Sequence, residues 1–242
     1  MLEVSRLSVS YGQLRAVAGI SLAVAAGEIV SLTGANGAGK SSVLDGISGV
    51  AKVAGGSVVF NGREISNRPL HHPGRRGLVQ VPEGRRLFAT LSVRENLLLG
   101  AGPHCGRRFS NSDFGGVVEF FPALQDKLHL SAASLSGGEA QMLALARGLM
   151  AKPKCLLLDE PSLGLSPAAT EDVYRLIAGM RPLNIGILLV EQNVELGLSV
   201  SDRGYLLESG RIVLAGTPQQ LLSDPHLVSR YLGAGENTPN HG

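Results

Sequence analysis

The sequence predicts an α/β fold built on a parallel sheet, with a ligand site along the carboxyl edge of its strands, and three observations carry that expectation. Short apolar runs at Ile29-Val30-Ser31-Leu32, Leu156-Leu157-Leu158 and Ile187 to Val190 have the length of buried strands. Helix-period segments separate them, so strands and helices alternate along the chain. Gly34 to Ser41, read GANGAGKS, follows the first run at once, and the carboxylate pair Asp159-Glu160 follows the second. In open α/β sheets the carboxyl edge is where ligands bind.

Composition sets the outer bounds. A chain of 242 residues can bury a full core, and 44% hydrophobic with 17% charged residues describes an ordinary globular protein. Its 32 glycines are nearly double the usual share of about 7%, so many tight turns and close backbone approaches are required. A net charge of +2 implies no nucleic-acid partner, since that needs a clustered basic face. Arg75-Arg76, Arg85-Arg86 and Arg107-Arg108 are isolated doublets. Cys105 and Cys155 have no metal-ligand spacing and make no disulfide framework; Cys155, ahead of an apolar run, is expected to be a buried free thiol. Met1 to Val4 is already strand-like, so no signal peptide is expected, and no apolar run reaches the roughly 18 residues of a membrane span. The expectation is a cytosolic protein that meets a membrane only through a partner.

Taken in order, Leu2 to Ser10 and Ala16 to Val24 read as β-segments with Tyr11-Gly12 between them. After the Gly34–Ser41 turn, Val43, Leu44 and Ile47 fall at helical spacing. Val58 to Ile65 reads as a hairpin on Asn61-Gly62. Leu78 to Val81 is a further strand, followed by Pro82-Glu83-Gly84-Arg85. Ser92 and Glu95 fit a capping box that starts a helix. The glycine-rich stretch 101–116 reads as a loop, and Val117 to Leu130 as a helix broken at Pro122. Leu135 to Gln141 opens an amphipathic helix with Met142, Leu145, Ala146, Leu149 and Met150 on one face. Ser166-Pro167 is an N-cap and first-turn pair ahead of Val173, Leu176, Ile177 and Met180. Tyr205 to Ala215 folds back on Ser209-Gly210, Thr217 to Gln220 caps a final helix, and 233–242 is expected to be a flexible tail.

The chemistry concentrates in two places. Gly34, Ala35, Asn36, Gly37, Ala38, Gly39, Lys40, Ser41 and Ser42 include the phosphate-loop pattern G-x-x-x-x-G-K-[ST]. Glycines let the backbone N–H groups approach a polyphosphate, Lys40 reaches the β- and γ-phosphates, and the Ser41 hydroxyl ligates Mg²⁺. The helix that follows turns its N-terminus toward the phosphates. Asp159 then fits the acid that holds Mg²⁺ in phosphate-loop NTPases, and Glu160 the base that orients water at the γ-phosphate.

Leu135-Ser136-Gly137-Gly138-Glu139-Ala140-Gln141, placed ahead of Asp159-Glu160-Pro161-Ser162, resembles the signature motif of ATP-binding cassette (ABC) ATPases. With Tyr11 and Gly34–Ser41 the resemblance covers nearly the whole chain. It implies a phosphate-loop NTPase core of ABC type with an N-terminal antiparallel β-subdomain and an inserted α-helical signature subdomain at about 84–150, in a single domain over 1–232. It implies ATP and Mg²⁺ as ligands, with Tyr11 stacking on adenine. It further implies that Ser136, Gly137, Gly138 and Glu139 serve a nucleotide held by a second ATPase subunit, so that two ATPs are sandwiched head to tail.

Three positions depart from the general family pattern. Glu83 stands where most members have a glutamine that senses Mg²⁺ and the permease; Gln80 is nearby but less well spaced. Gln192 stands where most have a histidine switch, and Ser166 where most have an aspartate. Glutamine can hydrogen-bond a γ-phosphate but carries no charge to it. Val81 to Phe88, Leu163 to Pro167 and Val190-Glu191-Gln192-Asn193 resemble the second ATP-binding subunit of bacterial importers for branched-chain amino acids, amides or urea. That subgroup implies a heterodimer with another ATPase subunit, two integral-membrane permeases, a periplasmic solute-binding protein acting indirectly, and residence on the cytoplasmic face of the inner membrane. The rivals are a soluble cassette ATPase without a permease, a lipid or lipopolysaccharide exporter ATPase, and a phosphate-loop kinase. Their disfavouring features are, in turn, the single cassette with its short insert, Glu83 with Gln192, and Ser136-Gly137-Gly138.

Overall fold

The computed structural model describes residues 1–69, 72, 76–102 and 110–232. Cys105, Arg75, the Arg107-Arg108 doublet and the expected tail at 233–242 lie outside the described residues. Two sheets organise the chain. Strands β1 (Leu2–Tyr11), β2 (Leu14–Val24), β4 (Val53–Phe60) and β5 (Arg63–Glu64) form an antiparallel sheet in the order β2-β1-β4-β5. The second sheet contains β3 (Ile29–Thr33), β6 (Leu78–Val81), β7 (Cys155–Asp159), β8 (Gly186–Glu191), β9 (Arg203–Glu208) and β10 (Arg211–Gly216). Its order is β10-β9-β3-β8-β7-β6.

Five of these strands run parallel and only the edge strand β10 is antiparallel. Strands β3, β7 and β8 are buried along their whole length, as strands covered on both faces must be, which is why they read as unbroken apolar runs. The β4–β5 turn has Asn61 and Gly62 at positive φ, and Ser209 and Gly210 do the same between β9 and β10, so both hairpins form where expected.

Helix α1 (Lys40–Ser48) packs between the two sheets. A Cβ at Gly46 would sit 2.8 Å from a Val9 methyl, so the helix lies closer to β1 than any other residue would permit. One core joins α1, the antiparallel sheet and one face of the parallel sheet, around Leu7, Leu44, Ile47, Phe60, Leu157 and Leu188. The other face packs against α2 (Val93–Gly100), α4 (Gly137–Met150) and α5 (Pro167–Gly179), with Leu97, Leu143, Ile177 and Leu189 inside. Burial pushes the Cys155 thiol up to about 12, so it is the inert buried thiol expected.

Local details differ from the sequence reading. Tyr11 is the last residue of β1, paired with Leu14, rather than part of a connection. The expected loop at 101–116 already contains the start of helix α3 (Asn111–Phe120). Ser110 and Asp113 form a capping box there, whose local bonds outweigh the helix-weakening Gly115 and Gly116. The break at Pro122 is real, and Pro122–Lys127 continues as a 3₁₀ segment. The single final helix is three short pieces, α7 (Pro218–Leu222), α8 (Pro225–Leu227) and a π-turn over Val228–Leu232, because Pro225 interrupts it. The capping box at Ser92 and Glu95 starts α2 as expected.

Candidate functional site

Strand β3 ends at Thr33 and the chain turns through Gly34–Gly39 into α1. Gly34 and Gly39 are required. A Cβ on either would run into a backbone carbonyl, that of Leu207 for Gly34 and that of Ala16 for Gly39, and Gly39 has φ 104°. The loop is therefore wedged between the β9–β10 hairpin and β2, two segments far from it in sequence. Lys40 is only 4% exposed. Its ammonium donates to the Gly34 carbonyl at 2.9 Å and the Ala35 carbonyl at 3.1 Å, and meets Glu160 Oε1 at 3.1 Å. Ala38 packs into the core, and its carbonyl accepts from the Gly210 N–H.

An open cleft of about 740 Å³ lies over this loop. Asn36, Gly37, Gly39, Lys40, Ser41 and Ser42 line it from the loop side, Tyr11 and Arg15 from β1 and β2, Glu83 and Glu160 from the sheet edge. Tyr11 is 47% exposed, and its hydroxyl reaches Asp45 Oδ2 at 3.4 Å. Its ring is thus free to receive a planar partner.

The acids converge on Asp159 at the end of β7. It is 6% exposed, and Ser41, 118 residues away, donates its hydroxyl to Asp159 Oδ1 at 3.2 Å. Burial, aided by the negative charges of Glu160, Glu83 and Asp45, pushes the Asp159 carboxyl up to about 6 against the Ser41 hydrogen bond. Asp45 is a member the sequence reading missed; it lies four residues after Ser41 on the same helix face, which is the signal that points to it. Among the described residues no three His, Cys, Asp or Glu side chains could hold a metal by themselves. A Mg²⁺ ion, which takes one or two carboxylates and completes its shell with phosphate oxygens and water, fits this donor set and would relieve its excess negative charge.

Glu160 follows at φ 45°, a left-handed conformation that is costly for a side-chain-bearing residue. A second pocket of about 570 Å³ adjoins the first through Glu160 and Leu163, and it holds Gln192, Glu191, Ser162 and Tyr231. Gln192 is exposed there, facing the same space as Glu160. Tyr231, from the C-terminal π-turn, donates to Glu208 Oε1 at 3.2 Å. No local motif pointed to it.

Ser136, Gly137, Gly138 and Glu139 do not enter either pocket. They form the N-terminus of α4, where Ser136 and Glu139 make a reciprocal capping box and Glu139 also pairs with Lys127. The Glu139 carboxylate, held below its usual range first by Lys127 and then by the Ser136 N–H, is thus committed to the helix start. A Cβ at Gly138 would come within 2.9 Å of the Ala169 Cβ, so the segment lies tight against α5. Gln80 lines a separate groove of about 250 Å³ with Phe88, Leu99 and Arg147, whereas Glu83 lines the cleft over the phosphate loop. Arg147 fixes the 85–86 backbone by donating to the carbonyls of Arg86 at 2.7 Å and Arg85 at 2.9 Å.

Comparison with known proteins gives the family. Residues 17–163 match the ABC transporter family. The chain is 42% identical to the high-affinity branched-chain amino acid transport ATP-binding protein BraG of Pseudomonas aeruginosa, over 96% of this chain and all of that protein. It is 35% identical to the lipopolysaccharide export system ATP-binding protein LptB of Escherichia coli, over 96% of this chain and 97% of that one. Among solved structures it resembles the ADP conformation of MJ1267, an ATP-binding cassette of an ABC transporter, with a TM-score of 0.84 and 26% identity, over 96% of this chain and 98% of that one. With a family match across more than half its length and relatives that align from end to end, the chain belongs to the ABC transporter family, as one of its ATP-hydrolysing cassettes.

Proposed function

We propose that this cassette drives the uptake of branched-chain amino acids as one of two ATPase subunits beneath a pair of membrane permeases. The observation that carries the reading is the division of the site. One face of the chain gathers the phosphate loop, Glu83, Asp159 and Glu160, while Ser136–Gly138 present a helix N-terminus outside that cleft. A helix N-terminus offers unpaired N–H groups and a positive dipole to an anion. On this reading a second subunit supplies its own Ser-Gly-Gly segment to the nucleotide bound here, and receives this one in return.

In that assembly Lys40 leaves the Gly34 and Ala35 carbonyls for the β- and γ-phosphates. The loop N–H groups of Gly34–Ser42 cradle the phosphate chain, and Tyr11 stacks on the adenine. Ser41 and Asp159, with Glu83 behind, would hold Mg²⁺, which would supply charge neutralisation to the phosphates. Glu160, released from Lys40, accepts the proton of the attacking water, and Gln192 donates to the γ-phosphate.

Among the described residues no helix is long and apolar enough to cross a membrane. On this reading the permeases hold the chain at the cytoplasmic face of the inner membrane. The groove beside Phe88 and Leu99, 53% and 50% exposed, suits a short apolar helix of a permease. Leu87, next to Phe88, is half-buried against the core and is not part of that exposed face.

The importer reading rests on the higher identity to BraG, and the export reading on the similarity to LptB. Reconstitution with the neighbouring permeases and binding protein tests both. ATP hydrolysis that rises with leucine-, isoleucine- or valine-loaded binding protein is the expected result. Stimulation by urea or an amide alone would move the substrate class, and assembly only with lipopolysaccharide-export permeases would refute import.

A further inference from the structure

Glu191 ends β8 immediately before Gln192, and it is a carboxylate only 2% exposed. Its bonding partners are neutral. Its Oε1 accepts from the Tyr174 hydroxyl at 2.5 Å and from the Ser162 backbone N–H at 3.2 Å, and the Ser162 side chain also bonds to it. Burial raises its pKa, against the bonds from Tyr174 and Ser162 and with the negative charge of Glu160 acting in the same direction as burial. A buried carboxylate of this kind is costly unless several donors converge on it. Its donors come from two elements that flank Glu160: the turn that contains Ser162, and helix α5, where Tyr174 is 4% exposed.

The same turn carries Glu160 at φ 45°. Two backbone bonds already bracket that residue, its own N–H to the Val190 carbonyl at 2.9 Å and the Leu163 N–H to its carbonyl at 3.1 Å. A strained residue persists only where its surroundings over-determine it. The bond from Ser162 to Glu191 is the side-chain member of that set. From the other side, α6 (Val194–Ser199) closes over the site: a Cβ at Gly197 would lie 3.3 Å from the Glu191 Cβ.

We propose that Glu191 is a positioning residue for hydrolysis, a buried clamp that holds the Glu160–Leu163 turn to β8 and α5 and so fixes the aim of the Glu160 carboxylate. The proposal rests on Glu160 as the base. Glutamine weakens the clamp rather than emptying its place. Its one neutral oxygen can still accept from the Tyr174 hydroxyl and the Ser162 N–H, but without the negative charge that strengthens both bonds, and it puts an N–H₂ group where the second carboxylate oxygen stood.

The test uses the assembled transporter with the partner subunit's catalytic glutamate disabled, so that steady-state ATP hydrolysis reports this chain's half-site; nucleotide affinity and thermal unfolding are measured on the free full-length chain of each variant. Glu191→Gln is expected to lower kcat about tenfold, and Tyr174→Phe, which removes one donor and keeps the ring, about threefold, each with the KM for ATP within about twofold of wild type. In a Glu160→Gln background neither change should lower the residual rate further, because a residue that acts through Glu160 has nothing left to position. Unchanged kcat in both single variants overturns the proposal. So does an equal fractional loss with Glu160 already replaced, which would mark a general structural role. If Glu191→Gln does not fold, Tyr174→Phe alone decides by the same criteria. Wild-type hydrolysis by the single variant Glu160→Gln would instead remove the base assignment, a separate failure read from a separate variant.

Discussion

Replacing Asp159 with asparagine should stabilise the ligand-free protein while abolishing Mg²⁺-dependent hydrolysis. Asp159 is 6% exposed, and its carboxyl is raised from 3.8 to about 6 by burial and then by the charges of Glu160, Glu83 and Asp45. A tenfold change in proton affinity corresponds to about 1.4 kcal/mol, so the ionised group disfavours the empty fold by at most about 3 kcal/mol. Asparagine has nearly the same shape, keeps an oxygen for the Ser41 hydroxyl, and carries no charge. A gain of about 1.5–3 kcal/mol would raise Tm by roughly 3–12 °C in a chain of this size.

The pH dependence identifies the cause. Because the folded-state pKa lies above the unfolded one, the folded protein holds the extra proton between about pH 4 and 6, and wild-type stability from this group falls as pH rises through that window. The Tm difference between Asp159→Asn and wild type should therefore be near zero at about pH 4, grow to about pH 6, and stay level above it. Differential scanning calorimetry in chelator, without nucleotide, measures it. A variant less stable than wild type at pH 7.5, or a difference that does not change with pH, would refute the reasoning.

Other outcomes follow from the same geometry. Glu160→Gln should bind ATP and trap a nucleotide-bound pair, while Lys40→Ala should weaken binding by tenfold or more, as equilibrium binding of a fluorescent ATP analogue would reveal. Phe88→Ala should uncouple transport from hydrolysis in reconstituted vesicles with the nucleotide affinity of the free subunit unchanged; lost affinity would assign Phe88 to the fold instead. Gln192→His should speed single-turnover hydrolysis at this half-site, since a protonated imidazole makes a stronger, charge-assisted bond to the γ-phosphate. In a mixed pair, disabling the catalytic glutamate of the other subunit should then impair transport more than Glu160→Gln does here; equal losses would contradict that asymmetry.

What the sequence determined by itself was everything written in short-range chemistry. The phosphate loop is a contiguous run whose glycines, lysine and serine each have a local duty, and the capping box at Ser92 spans four residues. Strands β3, β7 and β8 were legible because burial on both faces leaves an unbroken apolar run. Apolar runs that look alike do not say which is neighbour to which, so only the tertiary structure placed β3 between β8 and β9 and brought Ser41 to Asp159. The start of α3 was missed because two glycines masked a cap, and Glu83 was separated from Gln80 only by the structure, in which Gln80 within β6 faces the α2–α4 groove and Glu83, past the strand end, faces the cleft. Glu191 shows the limit most plainly. In the sequence it is an acid at a strand end, and its burial beneath Tyr174 and Ser162 depends on α5 and the Glu160 turn packing over it, contacts made across 17 and 29 residues that no local pattern records.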